Sequence, residues 1–109
     1  MSEVIETKSS IQCPVTYTMG VIGGKWKPII LYLISKEVNR FGILQRSVDG
    51  ISKQMLTKQL RELESDGILE RVIYPEIPPR VEYFITEKGK SLFLVINSMK
   101  EWGNEYVGK

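Results

Sequence analysis

The residues from Gly50 to Leu69 constrain the fold most, because they predict one helix with a defined start, a defined end and two unlike faces. Ser52 is a good N-cap, since its hydroxyl can accept a hydrogen bond from a backbone N–H that the first turn leaves unpaired. Gly67 comes after the last turn, where glycine readily adopts the left-handed conformation that ends helices. At about 100° per residue, the apolar side chains share an arc of about 140°, which predicts a stripe facing a core. These side chains are Met55, Leu56, Leu60 and Leu63.

The opposite face of this predicted helix carries long or hydrogen-bonding side chains, and no carboxylate occurs in the helix before Glu62. Its members are Lys53, Gln54, Thr57, Lys58 and Arg61. Amide and guanidinium groups pair with base edges, and cations, hydroxyls and the helix N-terminus attract phosphate. A solvated helix face is the alternative interpretation, because charged faces usually serve solubility.

The segment after this helix favours DNA binding over a merely solvated face. Two short strand patterns, 70–74 and 81–85, flank the proline-rich loop Pro75–Arg80. A helix before two strands around a stiff loop is the order of a winged helix-turn-helix, an α+β fold that is mainly α. We expect Arg80 at the loop tip and Arg71 near its base to reach a phosphate or a narrow minor groove. The alternative is an exposed arginine without a partner.

Composition excludes several classes of protein. A chain of 109 residues is long enough for one domain, and we expect a loose arm over residues 1–12 and a single winged helix domain over 13–109. The formal charge is only +2, so the distribution of charge must carry the case for nucleic acid. The chain has no histidine and one cysteine, which argues against an enzyme, a metal site or a cofactor. With no apolar run near the roughly 20 residues that a bilayer needs, and with no disulfide possible, we expect a cytoplasmic protein.

Three shorter helices are predicted before the first strand. Pro14 opens the first, and Gly23-Gly24 ends it. The second runs from about Trp26 to Lys36 and is apolar nearly all round, which predicts a central buried helix. The third spans 40–48 and forms the helix-turn-helix pair with the helix that begins at Ser52. The side chains expected to face inward from the first and third helices are Tyr17, Val21, Ile22, Phe41, Leu44 and Val48.

The last predicted helix carries more apolar surface than one domain needs. Thr86 caps it, and it continues to about Tyr106. Its main stripe contains Leu92, Val95, Ile96, Met99, Trp102 and Tyr106. Phe93 and Leu94 lie outside that stripe, and this surplus predicts a partner chain, of which a two-fold homodimer is the commonest case. The predicted dimer interface consists of Phe93, Leu94, Met99, Trp102 and Tyr106.

Several short motifs resemble the HxlR family of winged helix transcription regulators, which is allied to the MarR-like regulators. They are Cys13-Pro14-Val15, Ile22-Gly23-Gly24-Lys25-Trp26, Arg40-Phe41, Gly50-Ile51-Ser52, Met55-Leu56-Thr57, Leu60 to Gly67, Val72 to Pro75, Pro78-Pro79, Val81-Glu82-Tyr83, Thr86 to Gly89 and Trp102-Gly103. The resemblance implies a dimeric DNA-binding repressor or activator, with the helix from Ser52 in the major groove and the proline-rich loop as its wing. This chain departs from the family pattern after Arg40-Phe41, where such proteins commonly carry a polar residue and then Glu-Leu but this chain has Gly42-Ile43-Leu44. Glycine lowers helix propensity by roughly 1 kcal/mol relative to alanine, which puts the start of the third helix in question.

Cys13 resembles a cysteine that senses electrophiles or oxidants in some members of that family. A thiol at a helix N-terminus can have a lowered pKa, which raises the fraction of reactive thiolate. Oxidation could join two subunits, add a small molecule or stop at sulfenic acid, because the chain has no second cysteine. A small packing residue is the alternative.

Two classes of function therefore stay open. The first is a DNA-binding regulator that acts as a homodimer on a near-palindromic operator of double-stranded DNA, with an unknown small-molecule effector. The second is a winged helix that binds protein and not DNA. The residues expected to contact DNA are Arg40, Ser52, Lys53, Gln54, Thr57, Lys58, Arg61, Arg71 and Arg80.

Overall fold

The computed structural model describes residues 13–108, so the predicted arm over 1–12 lies outside the described residues. The elements are α1 (Pro14–Ile22), α2 (Lys27–Ser35), α3 (Phe41–Ser47), α4 (Lys53–Ser65), β1 (Leu69–Tyr74), β2 (Arg80–Ile85) and α5 (Glu87–Tyr106). This order confirms the predicted winged helix-turn-helix with additional helices at both ends. Gly42 lies in the first turn of α3 and does not prevent that helix from forming.

Local capping signals define the ends of α4, as the sequence predicted. The Ser52 hydroxyl accepts a hydrogen bond from the Met55 N–H at 3.0 Å. At the other end Gly67 has a φ of +76°, a conformation that a β-carbon would strain. The Ile68 N–H then bonds to the Leu63 carbonyl at 2.9 Å, which closes the last turn. These caps fix where the polar face of α4 begins.

The hairpin β1–β2 is antiparallel, with Leu69 opposite Ile85 at its base and Tyr74 opposite Arg80 at its outer end. Arg40, just before α3, forms one further bridge to Glu82 on β2. The helix-turn-helix is thereby joined to the wing beside the start of α3. Tyr83 is the buried side chain of β2, while Phe84 on the opposite face is exposed, so β2 presents one face to the core.

The core lies between α2, α4 and the base of the hairpin. Its fully buried side chains are Ile22, Ile30, Leu31, Leu44, Leu56, Leu60, Leu63 and Ile68. The predicted inward faces of α3 and α4 are confirmed, because Leu44, Leu56, Leu60 and Leu63 are among them, and Val48 is buried as well. The hydrophobic effect of this burial holds α4 with its polar face outward.

Two predictions of burial are wrong. Tyr17 is 50% exposed, because only the last residues of α1, Val21 and Ile22, reach the core. The helix α2 lies in the core through Ile30, Leu31 and Ile34, as predicted, but burial on all sides is wrong, since Ile29 on its outer side is 43% exposed. Periodicity identifies an apolar side chain but does not show which neighbour, if any, covers it.

Candidate nucleic-acid interface

A basic cleft of about 440 Å³ lies between α4, the start of α3 and the wing. Five cations line it, namely Arg40, Lys53, Arg61, Arg71 and Arg80. Thr57 and Tyr83 also line it, and no carboxylate does among the residues that the structure describes. The cleft therefore brings together six of the nine residues that the sequence predicted for DNA contact, counting the five cations and Thr57. We call this the basic cleft.

The other three predicted residues lie outside the basic cleft. Ser52 is exposed, and its hydroxyl oxygen is engaged as the N-cap of α4. Gln54 is exposed on α4 and forms no side-chain hydrogen bond with any other described residue. Lys58 is exposed on the same helix, and its Nζ lies 2.7 Å from Glu62 Oε2. An exposed amide with free donors and acceptors is what base-edge recognition requires.

The two wing arginines are held by carboxylates of the same chain. Arg71 Nε lies 3.3 Å from Glu64 Oε2 on α4. Arg80 is paired with Glu76 at 3.1 Å and with Glu82 at 3.4 Å, and its guanidinium lies 4.1 Å from the centroid of the Tyr74 ring. The Nε of Arg80 is buried and has no hydrogen bond with a described residue, so its contact with Glu82 is an ion pair only. These contacts fix both side chains at the wall of the cleft.

The prediction that Arg80 lies at the loop tip is wrong. Arg80 is the first residue of β2 and pairs with Tyr74 across the hairpin, whereas Ile77 is the fully exposed residue of the loop. The Arg80 side chain is held against the hairpin by ion pairs with Glu76 and Glu82 and by its contact with the Tyr74 ring. The spacing of Arg80 and Glu82, two residues apart on one strand face, was the available signal.

Lys27 is a functional candidate that the sequence patterns did not reveal. It is the first residue of α2 and only 7% exposed, and its Nζ lies 2.7 Å from Glu62 Oε1. Glu62 thus contacts Lys27 with one oxygen and Lys58 with the other. The two hydrogen bonds, from Lys27 first and then from Lys58, lower the pKa of Glu62 from 4.5 to about 2. Two features of the sequence hint at this ion pair. One is a lysine in the first turn of an apolar helix, and the other is the spacing of four residues between Lys58 and Glu62.

Cys13 is the N-cap residue of α1 and is partly exposed. The backbone N–H groups of Thr16 and Val15 lower the pKa of its thiol, and partial burial opposes them. These two N–H groups stabilise negative charge on the Cys13 sulfur, although the thiol does not form a capping hydrogen bond with α1. The arrangement makes Cys13 more acidic than an ordinary cysteine.

An apolar surface covers the outer side of α5 and the adjoining part of α2. Leu94 is 77% and Trp102 70% exposed, and the Trp102 and Tyr106 rings lie 4.8 Å apart between centroids. A groove of about 420 Å³ between the two helices is lined by Pro28, Ile29, Tyr32, Ile96, Met99 and Lys100. Phe93 differs from the other predicted interface residues, because it is partly buried and packs against the core. Exposed apolar patches of this kind are typical of surfaces that bind another protein, a membrane or a ligand.

The family model of HxlR-like helix-turn-helix proteins matches residues 21–109 of this chain. This chain belongs to the HxlR-like helix-turn-helix family. The match spans α2 to α5 and therefore contains the whole basic cleft.

Curated relatives and solved structures of HxlR-like and similar regulators agree with this assignment. The HTH-type transcriptional regulator YybR of Bacillus subtilis is 50% identical over 91 residues, which cover 84% of this chain and 73% of YybR. The redox regulator HypR in its oxidized form has a TM-score of 0.82 at 46% identity, covering 89% of this chain and 100% of HypR. The reduced form of the transcriptional regulator YodB from B. subtilis has a TM-score of 0.74 at 31% identity, covering 90% of this chain and 97% of YodB.

The HxlR-like chain is therefore a transcriptional regulator with a helix-turn-helix fold, and its relatives are regulators and not enzymes. Within residues 13–108, no helix is long and apolar enough to cross a membrane. Among the same residues, no three His, Cys, Asp or Glu side chains lie close enough together to hold a metal ion.

Proposed function

We propose that this chain is a cytoplasmic homodimer that binds a near-palindromic operator of double-stranded DNA and is not an enzyme. The observation that carries the proposal is the basic cleft, which has five cations and no carboxylate among its described lining residues. A protein-binding winged helix would more often present apolar anchors on this face. The chemistry of the cleft therefore favours a phosphate backbone as its partner.

The polar face of α4 supplies the contacts that would read sequence. Gln54 is exposed and free to form two hydrogen bonds with an adenine edge. The Thr57 hydroxyl donates to the Lys53 carbonyl at 2.9 Å, so its proton is used within the helix and its oxygen can still accept a hydrogen bond from DNA. Lys53 and Arg61 flank Thr57 along the same side of the helix and line the cleft. We assign base recognition to Gln54 and Thr57, and phosphate binding to the cations around them.

The cations of the basic cleft fall into two groups. Arg40, Lys53 and Arg61 form no ion pair with another described residue, so a phosphate would meet no competing carboxylate there. Arg71 and Arg80 already share their charge with Glu64, Glu76 and Glu82. A phosphate near the wing must compete with these carboxylates. We therefore expect Lys53 and Arg61 to contribute more to affinity than the wing arginines, which also hold the wing in register.

A homodimer through α5 would place two copies of α4 about a two-fold axis. The exposed side chains of that surface are Leu94, Met99, Trp102 and Tyr106, and the groove beside them includes Ile29 and Tyr32. A two-fold dimer binds half-sites about one helical turn, roughly 34 Å, apart or a multiple of it. Operator symmetry would then match the symmetry of the protein.

Cys13 would make the regulator responsive to oxidants or electrophiles. Its thiol is partly exposed and has a lowered pKa, which favours the thiolate that reacts. With diamide, two thiols of two subunits, or one thiol and a small thiol, would lose two protons and two electrons and form a disulfide, while diamide becomes the hydrazine. The similar redox regulator HypR has been solved in an oxidized and a reduced form.

Fluorescence anisotropy tests the proposal, with the DNA that flanks the gene and a scrambled duplex as control. We expect tight, steeply salt-dependent binding of the native duplex. Gln54→Ala and Thr57→Ala should change sequence preference, whereas Lys58→Ala and Arg80→Ala should weaken all duplexes alike and reduce the salt slope. Uniform loss in all four variants would contradict base reading by Gln54 and Thr57. No binding at low salt would favour a protein-binding module instead.

The same assay with diamide tests the role of Cys13. We expect diamide to change the affinity of the unaltered protein, because modification at the N-cap of α1 alters a helix next to the core. Cys13→Ser should bind DNA normally and lose the response. A response that persists in Cys13→Ser would exclude Cys13 as the sensor. It would also exclude any thiol of this chain, because Cys13 is its one cysteine.

A further inference from the structure

Lys27 carries a positive charge into the interior of the domain. It is only 7% exposed, and its Nζ lies 2.7 Å from Glu62 Oε1. A buried ammonium group is costly unless a carboxylate compensates it. Its side chain is almost fully shielded from solvent and does not line the basic cleft, so we expect it to make no direct contact with phosphate.

Glu62 joins this buried charge to the surface of α4. Its second oxygen lies 2.7 Å from Lys58 Nζ, and the Lys58 side chain is 60% exposed. Glu62 is ionised throughout the range in which DNA binding is measured, because its pKa is about 2. Lys27, Glu62 and Lys58 together carry two positive charges and one negative charge, a net charge of +1. Lys58 is the more exposed of the two lysines, so this net positive charge is accessible at Lys58.

We propose that Lys27 is a positioning residue for DNA binding: it neutralises Glu62 from inside the domain and thereby leaves the charge of Lys58 available to a backbone phosphate. The inference rests on the proposed function, since it concerns the same face of α4. Without Lys27, the carboxylate of Glu62 has only Lys58 as a partner. That pair has no net charge, and a phosphate would have to compete with Glu62 for Lys58.

A purely structural role for Lys27 makes a different prediction. If the Lys27–Glu62 pair only fastens α2 to α4, its loss lowers stability and leaves the charge presented to DNA unchanged. The dependence of DNA affinity on salt separates the two roles, because its slope counts the phosphates that are neutralised and does not measure stability.

The test compares salt slopes of full-length protein on one duplex for the unaltered protein, Lys27→Met, Lys58→Met and the double variant Lys27→Met/Glu62→Gln. Methionine keeps an unbranched side chain of similar length at the buried position. We expect each single variant to reduce the magnitude of the salt slope by about 0.9, the value for one phosphate contact. When the salt concentration rises fourfold, the affinity of each single variant should therefore fall by a factor about three to four times smaller than that of the unaltered protein. The double variant removes the buried ammonium group together with the carboxylate that pairs with it and frees Lys58, so its slope should return to that of the unaltered protein. Lys90→Met is the matched control, since Lys90 pairs with Glu87 at 3.1 Å on α5, away from the basic cleft, and should leave the slope unchanged.

Two results would overturn the proposal. One is a Lys27→Met slope equal to that of the unaltered protein. The other is a double variant that stays at the reduced slope. If Lys27→Met does not fold, as judged by circular dichroism, Lys27→Gln serves in its place, because glutamine is also neutral and can still hydrogen-bond to Glu62. Absence of salt-dependent binding by the unaltered protein would instead refute DNA binding itself, which keeps the two failures distinct.

Discussion

Gly89 allows α5 to pack against the base of the wing at a distance that no larger residue permits. A β-carbon at this position would lie 2.5 Å from the Ile68 carbonyl oxygen and 2.8 Å from Ile85 Cγ2. The first of these atoms belongs to the backbone and cannot rotate away. Thr86 fastens the same corner, because its hydroxyl accepts from the Gly89 N–H at 3.0 Å and its own N–H donates to the Ile68 carbonyl at 3.0 Å. Gly89→Ala must therefore displace α5 or the start of β1.

Two effects of opposite sign set the magnitude. Alanine stabilises a helix interior by roughly 1 kcal/mol relative to glycine. Forcing an extra carbon into a packed site costs typically about 1 to 3 kcal/mol, and a backbone contact as short as this belongs at the upper end or beyond. We expect Gly89→Ala to lower the free energy of unfolding by about 2 kcal/mol or more.

Gly103 provides a matched control in the same helix. A β-carbon there has no neighbour within 4 Å among the described residues, so Gly103→Ala should gain about 0.5 to 1 kcal/mol from helix propensity alone. Urea unfolding monitored by circular dichroism measures both variants, at one protein concentration because dimers are stabilised by mass action. An unfolding midpoint for Gly89→Ala at or above that of the unaltered protein would refute the close packing of α5 on Ile68.

Two further predictions concern the surface of α5 and the ion pair between Lys27 and Glu62. Trp102→Ser and Leu94→Ser should each shift the protein toward monomer in analytical ultracentrifugation. Ile73→Ser, at an exposed apolar residue of the wing, is the control and should not. Equal molecular masses for the three variants would contradict dimerisation through α5. The ionised form of Glu62 stabilises the fold above pH 4.5, and this contribution is lost as the pH falls toward 2, because folding lowers its pKa to about 2. Allowing for solvent screening of a side chain that is 41% exposed, we expect a loss of roughly 1 kcal/mol over this range. The Lys27→Met/Glu62→Gln variant should show a correspondingly shallower loss in acid unfolding, and an identical pH dependence would contradict the assignment.

The elements were predictable where short-range signals define them. Ser52 and Thr86 cap their helices with their own hydroxyls, and Gly67 ends α4 with a positive φ, so each boundary depends on residues within one turn. The proline-rich loop between two alternating strands likewise predicts a hairpin from local sequence. For these reasons the fold, the wing and the polar face of α4 can be derived from the chain read in order.

Features that depend on residues far apart in sequence were not predictable in the same way. Lys27 and Glu62 are 35 residues apart, and no periodicity connects a lysine in α2 with a carboxylate in α4. Tyr17 lies one turn before Val21 on the same helix face, yet Tyr17 is 50% exposed and Val21 is buried. The contacts that hold Arg80 arise from the folded hairpin, which brings Tyr74 opposite it. Sequence patterns give the chemistry of a side chain, whereas its partner is a property of the tertiary structure.

The low net charge of +2 is compatible with DNA binding because of where the carboxylates lie. Glu62, Glu64, Glu76 and Glu82 each pair with a cation at the edge of the interface, yet none of them lines the basic cleft. They reduce the total charge and the repulsion between neighbouring cations, and a phosphate competes with them only at the cations with which they pair. Phosphate binding depends on the local potential of the cleft, where Arg40, Lys53 and Arg61 have no carboxylate partner among the described residues. A regulator built in this way would hold its wing and its recognition helix rigid through internal ion pairs and bind DNA with the cations that those pairs leave free.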